Sequence, residues 1–375
     1  MQRLAPREPL ESASVSDRLD TERPVTRVSL QDVAQRAGVS VATASRSLRG
    51  LAKVSPETRH RVITAARELS YTAALPAAPE FAPGPRKAVA IIVPFITRWY
   101  FSTVTAAAVD HLRQQGYDAL LYHLGSADAR DDFFARMPLV GRVDGVLVLS
   151  APLDEEHTLA LRALDLPFVT VGTTLAGVPS VAIDAAAAAR QAVNHLLHLR
   201  HRRIGLILGE ADDPRFEFAS SADRRRGYED ALTAAGLALD HSLIATGAHG
   251  TDGGAQAMAA LLSRPTLPTA VLTEYDELAF GALRTLRRAG LRIPDDISVV
   301  SIDDHEMAAL FDLTTVAQDV AGQGRIAAEL LLREVDAADS DPEPPHVLLP
   351  TRLVVRHTTA PPSPPQIPAD PEEPI

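Results

Sequence analysis

The stretch VSLQDVAQRAGVSVATASRSLRGLAKVSPETRHRVITAARELSY, residues 28–71, predicts three short helices with a tight turn between the first two. Apolar residues at helical spacing form the first helix, and Gly38 can adopt the positive φ that ends it. Ser40 can cap a second helix over Val41–Leu48, which is rich in small and hydroxylated residues. Ser55-Pro56-Glu57 supplies a cap, a first-turn proline and a first-turn acid for a third helix. The spacing predicts a helix-turn-helix in preference to an ordinary three-helix bundle.

This stretch is basic within an acidic chain. Between Arg27 and Tyr71 there are eight Arg or Lys against three Asp or Glu, a local charge of +5, whereas the whole chain carries −11. An acidic protein is repelled by a polyanion unless one of its domains has the opposite sign. We therefore interpret the segment as a nucleic-acid-binding domain whose second helix enters a major groove.

The segment resembles the DNA-binding domain of the LacI/GalR (lactose-repressor/galactose-repressor) family of bacterial transcription factors. The run DVA-x-x-AGVS-x-x-T-x-SR-x-L, followed by VS-x-x-TR and EL-x-Y, matches that domain at fixed spacing. Arg46 is the strongest candidate for reading a base, because a guanidinium can donate two hydrogen bonds to guanine; the alternative is a solvated surface arginine. The resemblance implies base contacts by Val41, Ala42 and Arg46, and phosphate contacts by Ser40, Thr43 and Ser45.

Length and composition define the other parts of the chain. The 375 residues exceed one ordinary domain, and the 46% hydrophobic content is enough for a large core. The absence of cysteine fits a reducing cytoplasm and excludes a thiolate metal site. Residues 1–26 contain no apolar run, so they are not a signal peptide or a membrane span. We predict a disordered arm or an over-called start at 1–26, a DNA-binding domain at 27–72, a Pro-rich linker at 73–86 and a disordered Pro-rich tail at 359–375.

Residues 87–358 alternate short apolar strands with amphipathic helices, which predicts parallel sheets covered on both faces. The strands are too many for one sheet, and a helix over 185–199 looks like a bridge between two halves. We therefore predict an α/β fold with two doubly wound lobes and a ligand cleft between them. The predicted strands cover 88–94, 119–123, 143–150, 168–171, 181–183, 204–208, 270–272 and 298–302.

This architecture is similar to the periplasmic-binding-protein-like effector domain of the same family. Three local patterns carry the resemblance: the R-x-x-G-aromatic pattern at 224–228, the strand ending in paired aspartates at 298–304, and the return crossing at 313–319. Alignment with the family also selects Tyr100 and Phe101, which follow the first strand, and Asp276, which remains of the family's Asn-Asp pair. The resemblance implies an effector site formed by Tyr100, Phe101, Arg224, Asp276, Asp303 and Gln318, and to these we add Tyr275, a departure from the family whose phenol can reshape the pocket.

The chemistry of these side chains suits a sugar. A carboxylate accepts from neighbouring hydroxyl groups, an arginine donates to oxygens, and an aromatic ring packs on a C–H face. Two alternatives remain open: Arg224 and Asp303 can form a lobe-to-lobe ion pair without a ligand, and Trp99 can be a packing anchor instead of part of the effector wall.

The chain departs from the family pattern at three places. Gly172 stands where many members carry an acid, and Glu274-Tyr275-Asp276 stands where an Asn-Asp pair is usual, so the effector need not be a simple hexose. The linker contains four prolines, which disfavour the hinge helix that relatives form on DNA. Only Leu75 or Phe81 could act there as a minor-groove wedge, so we expect weaker operator bending than in a relative.

These patterns favour an effector-responsive transcriptional repressor, dimeric because each headpiece reads half of a palindromic operator. A regulator without a functional effector site, or an activator, is the nearest alternative. A solute-binding protein is disfavoured by the headpiece. An enzyme is disfavoured because we find no Gly-x-Gly-x-x-Gly fingerprint, no P-loop and no metal-ligand spacing, and we expect no cofactor, no metal and no membrane partner.

Overall fold

The computed structural model describes residues 29–48, 54–69, 86–210, 214–216, 218–337 and 344–363. The chain divides into two compact units, Met1–Pro83 and Gly84–Ile375, and the division falls within the predicted linker. The predicted arm at 1–26 and linker residues 73–85 lie outside the described residues, so both assignments stay predictions.

The described residues of the first unit form three helices, α1 (Leu30–Ala37), α2 (Val41–Leu48) and α3 (Pro56–Glu68). Local capping explains the start of α1, because the Ser29 hydroxyl accepts from the backbone N–H of Asp32 while the Asp32 carboxylate accepts from the N–H of Ser29. Gly38 ends α1 with φ 64°, as its position predicted. The three-helix arrangement is confirmed.

Small and branched residues form the core of this unit. Val33, Ala44, Val62 and Ala66 are completely buried, and they bring one face of each helix together. Because Ala44 faces inward, the residues on either side of it in α2 lie toward the surface. The short second helix is therefore held by its neighbours and presents an outer face to solvent.

The second unit consists of two lobes, each built on a six-stranded sheet. The strand order is β11-β5-β4-β3-β1-β2 in the first lobe, where every pair is parallel. The described elements of this lobe are β1 (Ala88–Val93), α4 (Trp99–Gln114), β2 (Asp118–His123), α5 (Ala127–Arg136), β3 (Gly145–Leu149), α6 (Glu155–Arg162), β4 (Phe168–Val171), β5 (Ser180–Ile183), α11 (Val320–Asp336) and β11 (His346–Leu349).

The strand order in the second lobe is β12-β10-β9-β8-β6-β7. Its described elements are α7 (Ala185–His198), β6 (Ile204–Glu210), α8 (Ala219–Ala234), a 3-10 turn (His241–Leu243), β7 (Ile244–Ala248), α9 (Thr251–Leu262), β8 (Ala270–Thr273), α10 (Asp276–Arg288), β9 (Ser298–Asp303), β10 (Thr314–Ala317) and β12 (Arg352–Val354). A 3-10 turn between β6 and α8 (Pro214–Phe216) packs against the first lobe, where Phe216 joins the core. The two-lobed α/β class is confirmed. The prediction of purely parallel sheets is wrong at one edge, because β12 pairs with β10 in antiparallel orientation.

The prediction that the helix over 185–199 forms a bridge between the two lobes is wrong. Helix α7 does not span the lobes, because Ala188, Ala192 and Leu196 are completely buried in the core of the second lobe. The chain passes between the lobes in short segments instead. In the described residues these crossings follow β5 at Asp184, β10 at Gln318 and Asp319, and β11 at 350–351.

Four strands are absent from the sequence prediction: β7, β10, β11 and β12. Strands β7, β11 and β12 lie at or next to a sheet edge, where one face or one side remains open to solvent. Their apolar runs are short, because Thr246 and Gly247 interrupt β7 while β11 and β12 contain only three and two consecutive apolar residues. Strand β10, Thr314–Ala317, is fully buried but rich in threonine, so the prediction assigned its residues only to a crossing.

Hydrogen bonds attach the first residues of the predicted disordered tail, 359–363, to the second lobe. The backbone carbonyl of Ala360 accepts from Nε2 of His201 at 2.8 Å, and Thr359 contacts Nε2 of His195 at 2.9 Å. The Ser363 hydroxyl donates to the carbonyl of Asp295 at 2.7 Å. Residues 359–363 therefore belong to the second lobe, which corrects the predicted boundary, while 364–375 lie outside the described residues.

Close packing of α7 against α8 depends on Gly227. A Cβ at this position would lie 2.2 Å from the backbone oxygen of Ala186, and a backbone atom cannot rotate away as a side chain can. We expect Gly227→Ala to lower the free energy of unfolding by about 3 kcal/mol, because the helices must separate. Chemical denaturation measures this change. The control Thr233→Ala, on the exposed face of α8, should cost less than about 1 kcal/mol. An unchanged stability of the Gly227 variant would contradict the packing argument.

Candidate functional site

Helix α2 presents the face that the sequence assigned to DNA. Ser40, Ala42 and Arg46 are exposed and Val41 is 45% exposed, whereas Thr43 and Ser45 are half-buried. The Ser40 hydroxyl accepts from the backbone N–H of Thr43 at 3.1 Å and so caps the helix. The four exposed residues can reach a base edge or a phosphate without any rearrangement of the core.

A cavity of about 290 Å³ lies between the two lobes of the second unit. It opens into a wider cleft of about 1140 Å³, with which it shares Ser150, Gly172 and Phe218. Six of the seven predicted effector residues line the smaller cavity: Tyr100, Phe101, Arg224, Tyr275, Asp303 and Gln318. Residues from both sheets and both lobes therefore converge there, although they are far apart in the sequence.

A chain of hydrogen bonds crosses the cavity wall from one lobe to the other. Nη2 of Arg224 lies 3.4 Å from Oδ1 of Asp303, and Nε2 of Gln318 donates to the same oxygen at 2.6 Å. Gln318 Oε1 accepts from Gln323 at 2.8 Å, and the Tyr100 hydroxyl donates to Oε1 of Gln323 at 2.9 Å. The lobes are thus linked through the side chains that would contact a ligand.

Asp276 does not line the cavity, which corrects the prediction that it faces the effector. Its side chain is 0% exposed, and its carboxylate accepts from the backbone N–H of His305 and from the Thr315 hydroxyl, both at 2.8 Å. The physical reason is its place at the first residue of α10, which turns the side chain toward the strand ends behind the wall. Asp276 holds the loop after β9 in place.

Three carboxylates of the cavity wall, Asp223, Glu274 and Glu277, are absent from the predicted effector residues. Glu274 is only 3% exposed; its Oε2 accepts from the N–H of Gly209 at 2.8 Å and its Oε1 accepts from the Ser221 hydroxyl. Glu277 lines the same cavity from α10. The departure of Glu274 from the family pattern was the available signal, whereas nothing in the sequence distinguished Glu277 from a surface acid in a first turn.

Gly172 explains one departure from the family pattern. It has φ 75°, and a Cβ there would lie 2.0 Å from the Ser150 hydroxyl oxygen and 2.9 Å from that of Tyr100. An acidic side chain at this position would therefore displace two residues of the cavity wall. The first lobe accordingly contributes no carboxylate at the position where many family members have one.

The sequence left two alternatives open, one for Arg224 with Asp303 and one for Trp99, and the positions of these residues in the structure decide both. Arg224 on α8 and Asp303 on β9 both belong to the second lobe, so they do not form a lobe-to-lobe ion pair. Trp99 is not part of the cavity wall; its ring lies 4.7 Å from that of His305, with an interplanar angle of 33°. Because Trp99 begins α4 of the first lobe and His305 follows β9 of the second, this contact is a packing anchor between the lobes.

Burial dominates the electrostatics of the site. It raises the pKa of Asp276, Asp303 and Glu274 above the ordinary carboxyl range, because few compensating charges replace the lost water. The negative charge of Asp303 raises the pKa of Asp276 further, whereas Arg224 lowers that of Asp303. Each group therefore binds its proton more tightly in the folded protein than in the unfolded chain.

A raised carboxyl pKa makes stability depend on pH. The stabilisation is complete below the ordinary pKa of an aspartate and is lost as the pH rises through the raised pKa. We expect the free energy of unfolding to fall from about pH 5 to about pH 8, with a smaller slope in Asp276→Asn, which cannot ionise. Denaturation at several pH values measures both slopes. The exposed control Asp252→Asn should keep the parent slope, and an Asp276→Asn slope equal to the parent slope would contradict this assignment.

Comparisons with known proteins agree with this architecture. Residues 29–73 match the family described as bacterial regulatory proteins, lacI family, and residues 193–359 match a periplasmic binding protein-like domain. The HTH-type transcriptional repressor CytR of Escherichia coli is 33% identical over 315 residues, which cover 83% of this chain and 90% of that protein. The HTH-type transcriptional regulator CelR of Thermobifida fusca is 33% identical over 345 residues, covering 88% of this chain and 98% of that protein.

Solved structures show the same likeness. A transcriptional regulator CelR-cellobiose complex superposes with a TM-score of 0.64 at 32% identity, covering 89% of this chain and 100% of that one. The lac repressor dimer bound to operator and the anti-inducer ONPF gives a TM-score of 0.63 at 27% identity, covering 89% and 99%. In the described residues, no helix is long and apolar enough to span a membrane. On the strength of these matches and of its two-part architecture, the chain belongs to the lacI family of bacterial regulatory proteins and is a DNA-binding transcriptional regulator.

Proposed function

We propose that this regulator is a repressor whose affinity for a palindromic operator is changed by a sugar-like metabolite bound between the two lobes. A homodimer reads the operator in the cytoplasm, with one α2 helix in each half-site. Arg46 donates to a guanine, Val41 and Ala42 contact base edges, and Ser40, Thr43 and Ser45 contact phosphates. The exposure of Ser40, Val41, Ala42 and Arg46 supports these roles.

The observation that carries the regulatory part is the hydrogen-bond chain from Arg224 through Asp303, Gln318 and Gln323 to Tyr100. It joins the second lobe to the first through the wall of the cavity. A ligand that competes for these groups must favour one relative position of the lobes over another. That difference in affinity between two states is all that allosteric control requires, and its usual size is about 1 to 3 kcal/mol.

The relatives support the class of ligand. One solved relative holds cellobiose, and a LacI family transcriptional regulator from Enterococcus faecium, 28% identical with a TM-score of 0.63, holds ribose. The wall described above has the donors, acceptors and aromatic rings that a polyhydroxylated molecule needs. We infer an effector of this general chemistry for the cavity of this chain.

The test couples operator selection with ligand screening. DNA fragments retained by the purified full-length protein are sequenced, and fluorescence anisotropy then measures affinity for the selected operator with and without sugars and nucleosides. We expect a palindromic consensus and at least one compound that changes the affinity by about fivefold or more. A protein that binds DNA without sequence preference, or whose operator affinity no compound changes, would overturn the corresponding half of the proposal.

We expect the protein to be a dimer and not a tetramer in solution. Residues 358–375 are rich in proline and have no heptad of leucines, so this segment does not supply a helical bundle between two dimers. Light scattering at micromolar concentration measures the mass directly. A mass near that of four chains would show that a different surface joins two dimers.

A further inference from the structure

Acidic groups exceed basic groups on the described wall of the cavity between the lobes. Glu274, Glu277 and Asp303 contribute three carboxyl groups, whereas Arg98 and Arg224 contribute two guanidinium groups and His249 contributes an imidazole. A further acid of this wall, Asp223, is neutralised by an ion pair with Arg226 at 2.8 Å. Without Asp223, the wall therefore has one more carboxyl group than guanidinium groups, and the buried carboxyl of Asp276 lies behind it.

Both arginines of the wall make contacts besides those with its carboxyl groups. Nη1 of Arg224 donates to the backbone carbonyl of Glu274 at 2.8 Å, and the Arg98 guanidinium lies 4.2 Å from the centre of the Phe95 ring. Burial raises the pKa of Glu274, Glu277 and Asp303 in spite of both arginines. The positive charge of the two arginines therefore only partly offsets the desolvation of the three carboxyl groups.

Two other features of the cavity wall indicate which chemical groups a ligand would need. Tyr100, Phe101, Phe218 and Tyr275 line the same cavity, and the faces of such rings attract cations. Nε of Arg224 is buried and has no hydrogen-bond partner among the described residues, so it needs an acceptor oxygen. One molecule would have to supply both a positive charge and oxygen atoms.

We propose that the effector is an amino sugar, a polyhydroxylated ring that carries a protonated amine. One ammonium group balances the excess charge of the wall and donates to Asp303 and Glu277, while a hydroxyl or ring oxygen accepts from Nε of Arg224. All three carboxylates belong to the second lobe, so the amine faces that lobe. This inference rests on the proposed function, because it assigns the chemistry of the effector in the same cavity.

The test compares matched ligands on the full-length protein. Isothermal titration calorimetry is performed with D-glucosamine, D-galactosamine and D-mannosamine, each beside its parent sugar and its N-acetyl derivative, which lack the charge. We expect at least one amine to bind about tenfold more tightly than both neutral forms, since hydrogen bonds to charged groups are the stronger ones. Equal or tighter binding of the neutral forms, or no binding of any amine, would overturn the proposal.

Charge-neutralising variants locate the amine. Glu277→Gln and Asp303→Asn should each weaken binding of the amino sugar about tenfold and change binding of its parent sugar much less. The control Asp110→Asn removes an exposed carboxylate of α4 outside the cavity and should change neither affinity. An equal loss for the charged and neutral sugars would show that the carboxylates shape the cavity without recognising a charge.

Operator binding separates the two proposals. If a neutral sugar changes operator affinity and no amino sugar does, the effector-responsive regulator stands and the amine assignment fails. If a calorimetrically verified amino sugar binds the cavity and leaves operator affinity unchanged, the ligand class stands and the regulatory role fails.

Discussion

Replacing Arg224 and Asp303 together by alanine should abolish stabilisation of the protein by its effector. Both residues line the cavity and are almost fully buried. The double variant therefore removes the guanidinium group that donates to ligand oxygens and the carboxylate that accepts from ligand donors. Losing such buried contacts costs several kcal/mol, and about 3 kcal/mol already weakens binding more than a hundredfold. The measurement is the shift in melting temperature caused by the strongest binder among sugars, amino sugars and nucleosides.

The matched control removes an Arg–Asp pair from the same lobe outside the cavity. Arg284 and Asp252 form an exposed ion pair at 2.8 Å, and their double alanine variant should keep the full ligand-induced shift. The unliganded melting temperature of each variant reports whether it is folded. A folded Arg224 and Asp303 double variant that retains the parent shift would place the effector elsewhere.

Replacing Arg46 by alanine should have the largest effect on DNA binding. Its side chain is exposed on α2, and a guanidinium that pairs with a guanine discriminates against other bases by roughly 1 to 3 kcal/mol in each half-site. We expect weaker binding to the selected operator and a relaxed preference at one base position per half-site. Anisotropy with the operator and with single-base variants of it measures both effects.

Arg61→Ala is the control for charge alone. It removes the same charge from an exposed position of α3, outside the helix that reads bases. Any loss of affinity should then be similar for all DNA sequences, as for a phosphate contact. If Arg46→Ala binds as tightly and as selectively as the parent, Arg46 is a solvated surface arginine.

The headpiece was predictable because its signals are local. The serine caps, the glycine with positive φ and the proline in a first turn act within a few residues, and all of them lie where the sequence placed them. The buried parallel strands were predictable for a similar reason, since a continuous apolar run marks burial on both faces. The edge strands β7, β11 and β12 were missed because half of their environment is solvent, although the edge strand β2 was predicted from its apolar run.

The candidate cavity was only partly predictable. Alignment with the family selected Arg224, Asp303 and Gln318, and the structure brings all three to one wall. It also selected Asp276, whose orientation depends on how α10 meets the ends of β9 and β10. Glu277 escaped prediction because a first-turn acid has the same local sequence whether it faces solvent or a cavity.

The sequence by itself determined the helix-turn-helix, the two-lobed α/β class and the family, because caps, turns and apolar runs report local backbone preference and burial. Only the tertiary structure decided which carboxylates share the cavity, where the chain crosses between lobes and which residues hold the segment after Thr358. These properties arise from contacts between residues far apart in the chain, such as Arg224 with Asp303 and His201 with Ala360. Their energies depend on distance and desolvation, which a pattern of neighbouring residues does not record.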